Sequence, residues 1–174
     1  QETIDAMKKY RVSIKGPLTT PIGNGFKSIN VSIRQKLDLF ACVRPIRYFP
    51  GTNSPMVESN LTDMVVFREN TEDLYSGIEW EPNSEGAKKI IEFIKKELGE
   101  SPFRFENECG IGIKPVSREG SERLINMAIE FALNEKKEIL TIVHKGNIMK
   151  YTEGAFRDWA YDLVKNKYNG TINE

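Results

Sequence analysis

Apolar positions recur along this chain with two periods, and each change of period marks an element. Over 84–98, Ala87, Ile90, Ile91, Ile94 and Leu98 return every three or four positions behind a serine and ahead of Gly99, which predicts an amphipathic helix with a cap and a stop. The same period predicts helices over 117–135, with Leu124, Ile125, Ala128 and Ala132 inward, and over 152–167, with Phe156, Trp159, Ala160, Leu163 and Val164 inward. A shorter helix over 28–39 carries Ile29, Ile33, Leu37 and Phe40. The stretch 3–10 is also helical in pattern, and a helix following directly on Gln1 is expected of a chain that begins within something larger.

Other runs read as strands. Met64 to Phe67 is continuously apolar, and so, nearly, is Ile139 to Val143; strands over 62–67 and 138–145, buried on both faces, are expected. Residues 11–16 alternate and stop at Gly16-Pro17, predicting a strand that runs into a loop. Residues 42–47 read as a short strand or its end, and 48–61, with Pro50-Gly51 and Ser54-Pro55, as a connection. Short extended segments at 76–80 and 111–113 flank the helix over 84–98, so 73–117 reads as a β-α-β insertion. Strands alternating with helices predict a layered α/β lobe. There is no internal repeat and no low-complexity tract.

Composition narrows the class. At 174 residues, 39% hydrophobic and 29% charged, the chain can build one substantial core or two small lobes. No apolar run approaches the ~20 residues that span a bilayer, and no signal-peptide pattern opens the chain, so no membrane partner and a cytoplasmic setting are expected. Cys42 and Cys109 are expected as reduced core thiols. A single histidine, His144, cannot build a His-rich metal site and reads as a packed strand-end residue. Trp80 and Trp159 read as core.

Charge changes the picture more. Lys and Arg together number 25, as do Asp and Glu, yet between Arg11 and Val57 seven cations (Arg11, Lys15, Lys27, Arg34, Lys36, Arg44, Arg47) face the single acid Asp38. A local excess of this kind attracts anions whatever the global balance. Pro21-Ile22-Gly23-Asn24-Gly25 is a turn cluster, and Ser28 stands where a helix cap should stand. A helix start offers unpaired N–H groups and the positive dipole end to a carboxylate or phosphate. Asn30 and Arg34, four apart, share a face of that helix, so Ser28, Asn30 and Arg34 converge. Guanidinium forks such as those of Arg44 and Arg47 suit carboxylates. The plain alternative is a solvated basic face. Nucleic acid is the rival ligand, but the arginines sit among apolar residues, and neither a lysine stripe nor stacking aromatics accompany them.

Tyr75 and Lys145 follow expected strands and can serve as general acid and base; an exposed lysine and an interfacial tyrosine are the ordinary alternative. Glu69, Glu72 and Asp73 are expected to pair with arginines rather than hold a metal. Gly110-Ile111-Gly112 lacks the following helix cap of a nucleotide loop.

Longer motifs then become recognisable. Lys15-Gly-Pro-Leu-Thr-Thr-Pro, Ser28-Ile-Asn-Val-Ser-Ile-Arg34, Leu37-Asp-Leu, Val43-Arg-Pro, Phe67-Arg-Glu-Asn-Thr-Glu-Asp-Leu-Tyr75 and Val143-His-Lys-Gly-Asn-Ile-Met-Lys-Tyr-Thr-Glu-Gly-Ala-Phe156 closely resemble the bacterial-type NADP-dependent isocitrate dehydrogenases, among the decarboxylating β-hydroxyacid dehydrogenases. The resemblance runs over essentially the whole chain and covers the middle of a polypeptide more than twice as long. It implies the α/β fold of that family. Residues 1–39 would belong to the large domain, 40–72 and 118–174 to the small domain, and 73–117 to a clasp that interlocks two subunits of a homodimer.

The resemblance also implies roles. Ser28, Asn30, Arg34, Arg44 and Arg68 would clamp isocitrate; Thr19 and Thr20 would approach the nicotinamide end of NADP, with Asn147 supplied to the partner subunit's cofactor. Tyr75 and Lys145 would be the proton-handling pair, Lys145 reaching across the dimer. The Mg²⁺ or Mn²⁺ ligands and most of the cofactor grip would lie outside this chain, leaving a substrate half-site and a clasp, inactive alone. Ser28 is phosphorylated in enteric relatives, which implies a possible kinase and phosphatase as partners. Gly23-Asn24-Gly25 departs from the family's three glycines, a change that Asn accommodates. An isopropylmalate- or homoisocitrate-type dehydrogenase is the alternative enzyme, disfavoured by Ser28 with Asn30; a non-catalytic substrate-binding and dimerisation fragment is the alternative of another class.

Overall fold

The computed structural model describes residues 2–19, 28–99 and 103–172. Its helices are α1 (Glu2–Tyr10), α2 (Ile29–Lys36), α3 (Glu85–Glu97), α4 (Arg118–Asn134) and α5 (Ala155–Leu163); its strands are β1 (Ala41–Arg47), β2 (Asp63–Glu69), β3 (Ile78–Trp80) and β4 (Ile111–Ile113). The mixed α/β class expected from the alternating pattern is what forms. The chain divides into two compact units, one built from Gln1–Thr71 with Val116–Glu174, the other from Glu72–Pro115.

In the first unit β1 and β2 pair antiparallel, Ala41 opposite Glu69 and Arg47 opposite Asp63. One face of the pair lies on α4, where the rings of Phe67 and Phe131 are 5.3 Å apart, a tilted aromatic contact within the favourable range. Helix α4 starts at Ser117, whose hydroxyl accepts from Gly120 N at 3.0 Å, satisfying one of the orphan donors of a first turn. Its buried face (Leu124, Ile125, Ala128, Ile129) meets α5, where Ala160 is fully buried. A residue as small as alanine at that contact lets the two helices approach closely. Helix α5 is flanked by π-helical turns at Lys150–Gly154 and Val164–Tyr168.

The second unit is a β-α-β segment whose strands pair antiparallel, Ile78 opposite Ile113 and Trp80 opposite Ile111. Helix α3 connects them, its Ser84 cap accepting from Ala87 N at 3.2 Å. Ala87 is buried there, while Ile90, Ile91 and Ile94 are half-buried. Lys95 pairs with Glu106 at 2.8 Å, tying the helix to the segment that returns to β4.

Several expected elements are corrected. Residues 11–16 form no strand; Val12 and Ile14 are 84% and 100% exposed. Nor does 138–145, where Ile139 and Val143 are 81% and 85% exposed. A strand exists only through the ladder it shares with a neighbour, and among the described residues neither stretch has one. For the same reason β2 is not buried on both faces: Met64 and Val66 are exposed. Between β2 and the Ile139 to Val143 stretch lies an apolar groove of about 410 Å³, floored by Leu124, Ile125 and Ala128 of α4. The helix expected over 28–39 stops at Lys36, because Asp38 turns left-handed at φ 49°. The cysteines are free but only half-buried, as are Trp80 and Trp159, so none of the four is core. No described helix is long and apolar enough to cross a membrane.

Candidate functional site

Three elements of the first unit carry the expected substrate residues. Helix α2 carries the first group. Ser28 stands at its N-cap position, and the Ser28 carbonyl accepts the first helical bond, from Ser32 N at 2.9 Å. Its hydroxyl does not cap the helix, contrary to the role its position suggested. No acidic side chain occupies the first turn of α2, and Arg34 and Lys36 lie in the last. The start of the helix therefore keeps its positive end uncompensated by carboxylates of its own. Asn30 and Arg34 lie one turn apart and are half-buried. Asn30 Nδ2 donates to the Leu18 carbonyl at 3.4 Å, which brings the residue before Thr19 to this helix. Thr19 is exposed; Thr20 and the Gly23-Asn24-Gly25 turn lie outside the described residues.

The strands carry the second group. In an antiparallel pair, directly opposed residues point to the same face and diagonal neighbours stand within reach of long side chains. Cys42 is opposite Arg68 and Arg44 is opposite Val66, so Arg44 and Arg68 are diagonal neighbours on one face. Arg44 Nε also donates to Cys42 Sγ at 3.3 Å. Phe67, one residue from Arg68, points the opposite way, toward α4. Arg47 differs in parity and so leaves this group; its guanidinium lies 5.2 Å from the Phe49 ring.

What joins α2 to the strands is a set of side chains centred on Arg123, which sequence reasoning did not single out. Arg123 of α4 holds Asp38 through both carboxylate oxygens, at 3.0 and 2.8 Å, and donates to Thr71 Oγ1 at 2.9 Å. Its guanidinium lies 4.6 Å from the Phe40 ring centroid. Glu69 accepts from the amide and hydroxyl of Thr71, both at 2.8 Å. Asn70, 4% exposed, donates to the Leu39 carbonyl at 3.1 Å. The only sequence signal was an acid directly after a helix and an arginine on the polar stripe of another.

The Lys145 turn is the third piece. Its polypeptide bends by bonds from Ile148 N and Met149 N to the Lys145 carbonyl, at 3.2 and 3.1 Å. The Lys145 amide donates to Glu153 Oε2 at 3.3 Å and the Gly146 amide to His144 Nδ1 at 3.0 Å. His144 thus shapes the turn rather than packing at the end of a strand. The Lys145 and Asn147 side chains are exposed.

Tyr75 belongs to the second unit, in the 3₁₀ turn Asp73–Ser76. Asp73 sits at φ 59°, its amide donating to the Pro115 carbonyl at 2.9 Å and its carboxylate pairing with Lys114 at 3.2 Å. Tyr75 itself is half-buried, with its amide donating to the Glu72 carbonyl at 3.1 Å. Of the acids at the exit of β2, Asp73 therefore pairs with a lysine and Glu69 with a threonine. Among the described residues no three His, Cys, Asp or Glu side chains cluster to hold a metal ion.

A family model described as isocitrate/isopropylmalate dehydrogenase matches residues 1–173. The chain is 53% identical over 171 residues to the isocitrate dehydrogenase [NADP] 1 of Psychrobacter sp. strain 13A, covering 98% of this chain and 41% of that protein. It is 54% identical over 171 residues to the isocitrate dehydrogenase [NADP] of Helicobacter pylori strain 26695, covering 98% of this chain and 40% of that one. The crystal structure of isocitrate dehydrogenase from Methylococcus capsulatus superposes with a TM-score of 0.75 at 36% identity, over 96% of this chain and 43% of that one. The chain thus spans about two fifths of the length of the curated relatives it matches.

Proposed function

Given that the chain belongs to the isocitrate/isopropylmalate dehydrogenase family, we propose that it is the substrate-binding centre of an NADP-dependent isocitrate dehydrogenase, whose full-length form converts isocitrate to 2-oxoglutarate and CO₂. The relatives at 53% and 54% identity carry that name. The observation that carries the proposal is the register that sets Arg44 and Arg68 as diagonal neighbours on one sheet face; Ser28, Asn30 and Arg34 lie along α2 of the same unit. A tricarboxylate leaves water only when several charge-assisted bonds replace its hydration.

In this reading Arg34, Arg44 and Arg68 take the carboxylates, with Ser28 and Asn30 at the γ-carboxyl end. That last assignment favours isocitrate over an alkyl-substituted malate. Lys145, delivered to the partner subunit, takes the C2 hydroxyl proton, and Tyr75 returns a proton to the enolate carbon left when CO₂ departs. Thr19, Thr20 and the partner's Asn147 would line the nicotinamide end of NADP, which would supply the hydride acceptor. The described residues do not fit a Mg²⁺ or Mn²⁺ site, so that ion belongs to residues outside them.

Homodimerisation through the 72–115 unit is part of the proposal. Leu74, Phe93, Leu98 and Phe105 are exposed there, apolar surface of the kind that a second copy covers. Phosphorylation of Ser28 is the regulatory part, since a phosphate would bring roughly −2 charge to the position meant for a carboxylate.

The deciding experiment measures isocitrate-dependent NADP reduction, with Mg²⁺ or Mn²⁺, by the full-length protein and by the 174-residue chain. Activity in the first and none in the second is expected. An inactive full-length protein sinks the enzyme assignment and leaves a binding and dimerisation module. Near-normal turnover by full-length S28D sinks regulation by simple charge repulsion.

A further inference from the structure

Asp38 is an odd residue for its place. It lies just past the Leu37 cap of α2, where the helix dipole is negative and a carboxylate is disfavoured, and it adopts φ 49°, a conformation costly for any side chain but tolerated by Asp and Asn. The turn it makes is well formed all the same. Asp38 N donates to Gln35 O at 3.4 Å and Leu39 N to Arg34 O at 2.9 Å, satisfying carbonyls that a helix end leaves open. What offsets the charge is Arg123, whose Nη1 donates to both carboxylate oxygens of Asp38.

Arg123 does more than neutralise one acid. The same guanidinium donates to Thr71, directly beyond β2, and lies over Phe40, directly before β1. Thr71 passes the contact to Glu69 at the end of β2. One planar group thus grips the last turn of α2 and the adjoining ends of both strands. Arg34 lies four residues before Asp38, and Arg68 three before Thr71. The junction also keeps two buried polar atoms without a partner among the described residues, Arg123 Nε and Asn70 Oδ1. Such atoms cost stability, so tight packing at this point is not what favours stability most.

We propose that Arg123 is a positioning residue for the isocitrate clamp. It fixes the spacing between Ser28, Asn30 and Arg34 on α2 and Arg44 and Arg68 on the strands, without touching substrate. The inference rests on the function proposed above.

Kinetics of the full-length protein test it, comparing wild type with R123M, R123K, D38N, D38N/R123M and, as reference, R68A. R123M is expected to raise KM for isocitrate about tenfold while kcat and KM for NADP stay within about twofold, the signature of lost ground-state and transition-state binding alike. A merely structural role would reduce the yield of folded protein and leave both KM values alone. R123K is expected to rescue little, because an ammonium cannot span Asp38 and Thr71 as a planar fork does. D38N alone should cost about threefold, and the double variant no more than R123M, since residues acting as one unit are not additive.

If R68A impairs isocitrate binding while R123M leaves its KM unchanged, or if the D38N and R123M effects multiply fully, the positioning role is wrong and the enzyme assignment survives. Should the wild type show no isocitrate turnover, or R68A leave isocitrate KM unchanged, the assignment itself fails. Should R123M not fold, D38N decides: it keeps the Thr71 bond and the Phe40 contact, and an unchanged isocitrate KM in that variant overturns the inference.

Discussion

Arg44 and Arg68 are diagonal neighbours on the face of the β1–β2 pair that turns away from α4, because Cys42 stands directly opposite Arg68 in the register. Two like charges at that spacing repel, and a polycarboxylate between them removes the repulsion. Isocitrate should therefore raise the melting temperature of the full-length protein. In R44Q the melting temperature without ligand should be equal or slightly higher, and the ligand-induced rise should be lost. Truncating one partner of a hydrogen-bonded charge pair costs about 2–5 kcal/mol, which corresponds to an isocitrate KM at least about thirtyfold higher. A full thermal response to isocitrate in R44Q would contradict this arrangement.

A Cβ built on Gly146 would lie 2.9 Å from Gly154 Cα and 2.8 Å from His144 Nδ1. One neighbour is backbone and cannot rotate away, so G146A must push the Lys145 turn off α5. Overpacking of this sort costs about 1–3 kcal/mol. On the proposed role of Lys145 in proton transfer, turnover by the full-length protein should fall more than isocitrate KM rises. Unaltered kcat in G146A would show the turn to be more pliable than its contacts indicate.

Gly86 and Trp80 meet still more closely. A Cβ at Gly86 would fall 2.1 Å from Trp80 Cδ1, at the first turn of α3 where it covers β3. G86A should destabilise the 72–115 unit by about 1–3 kcal/mol. If the full-length protein dimerises through this unit as proposed, G86A should make the dimer dissociate at higher protein concentration, as followed by analytical ultracentrifugation. A dimer as tight as the wild type would separate this unit from dimerisation.

Lys96 holds the carboxyl of Glu92 below the usual glutamate range, by a hydrogen bond and by its charge. The folded state therefore prefers the ionised form: the pair's contribution is complete above the unfolded carboxyl's range and fades as pH drops through the depressed folded value. Both side chains are exposed, so the contribution to stability is small. NMR titration should place the Glu92 carboxyl below the usual glutamate range and, in K96A, move it back up toward that range; the same titration curve in both proteins would refute the pairing.

Helices were legible because their evidence is local. The Ser84 and Ser117 caps, the Ala87 and Leu124–Ile125–Ala128 stripes and the stop at Gly99 each act within a turn or two of chain. Strands 11–16 and 138–145 failed for the opposite reason. Their apolar patterns were real, but a strand depends on a partner elsewhere, and the pattern does not name it. The residues proposed to bind substrate were legible as types and motifs, whereas the diagonal placement of Arg44 and Arg68 depends on register, which one strand alone does not fix. Arg123 and Asp38 are 85 residues apart, and although Asp38 lies in the Leu37-Asp-Leu motif, nothing in the sequence names Arg123 as its partner, so their meeting was invisible until the chain had folded.

The Lys145 turn follows a stretch without ladder bonds among the described residues and is anchored instead by what comes after it, Glu153 and Gly154 at the head of α5. Amides of residues 139–143 should accordingly exchange with deuterium almost as fast as in an unfolded peptide, while those of α5 remain protected. The placement of this lysine is thus inherited from a helix downstream, and substitutions along the α4–α5 seam would reach it sooner than substitutions in the residues that precede it.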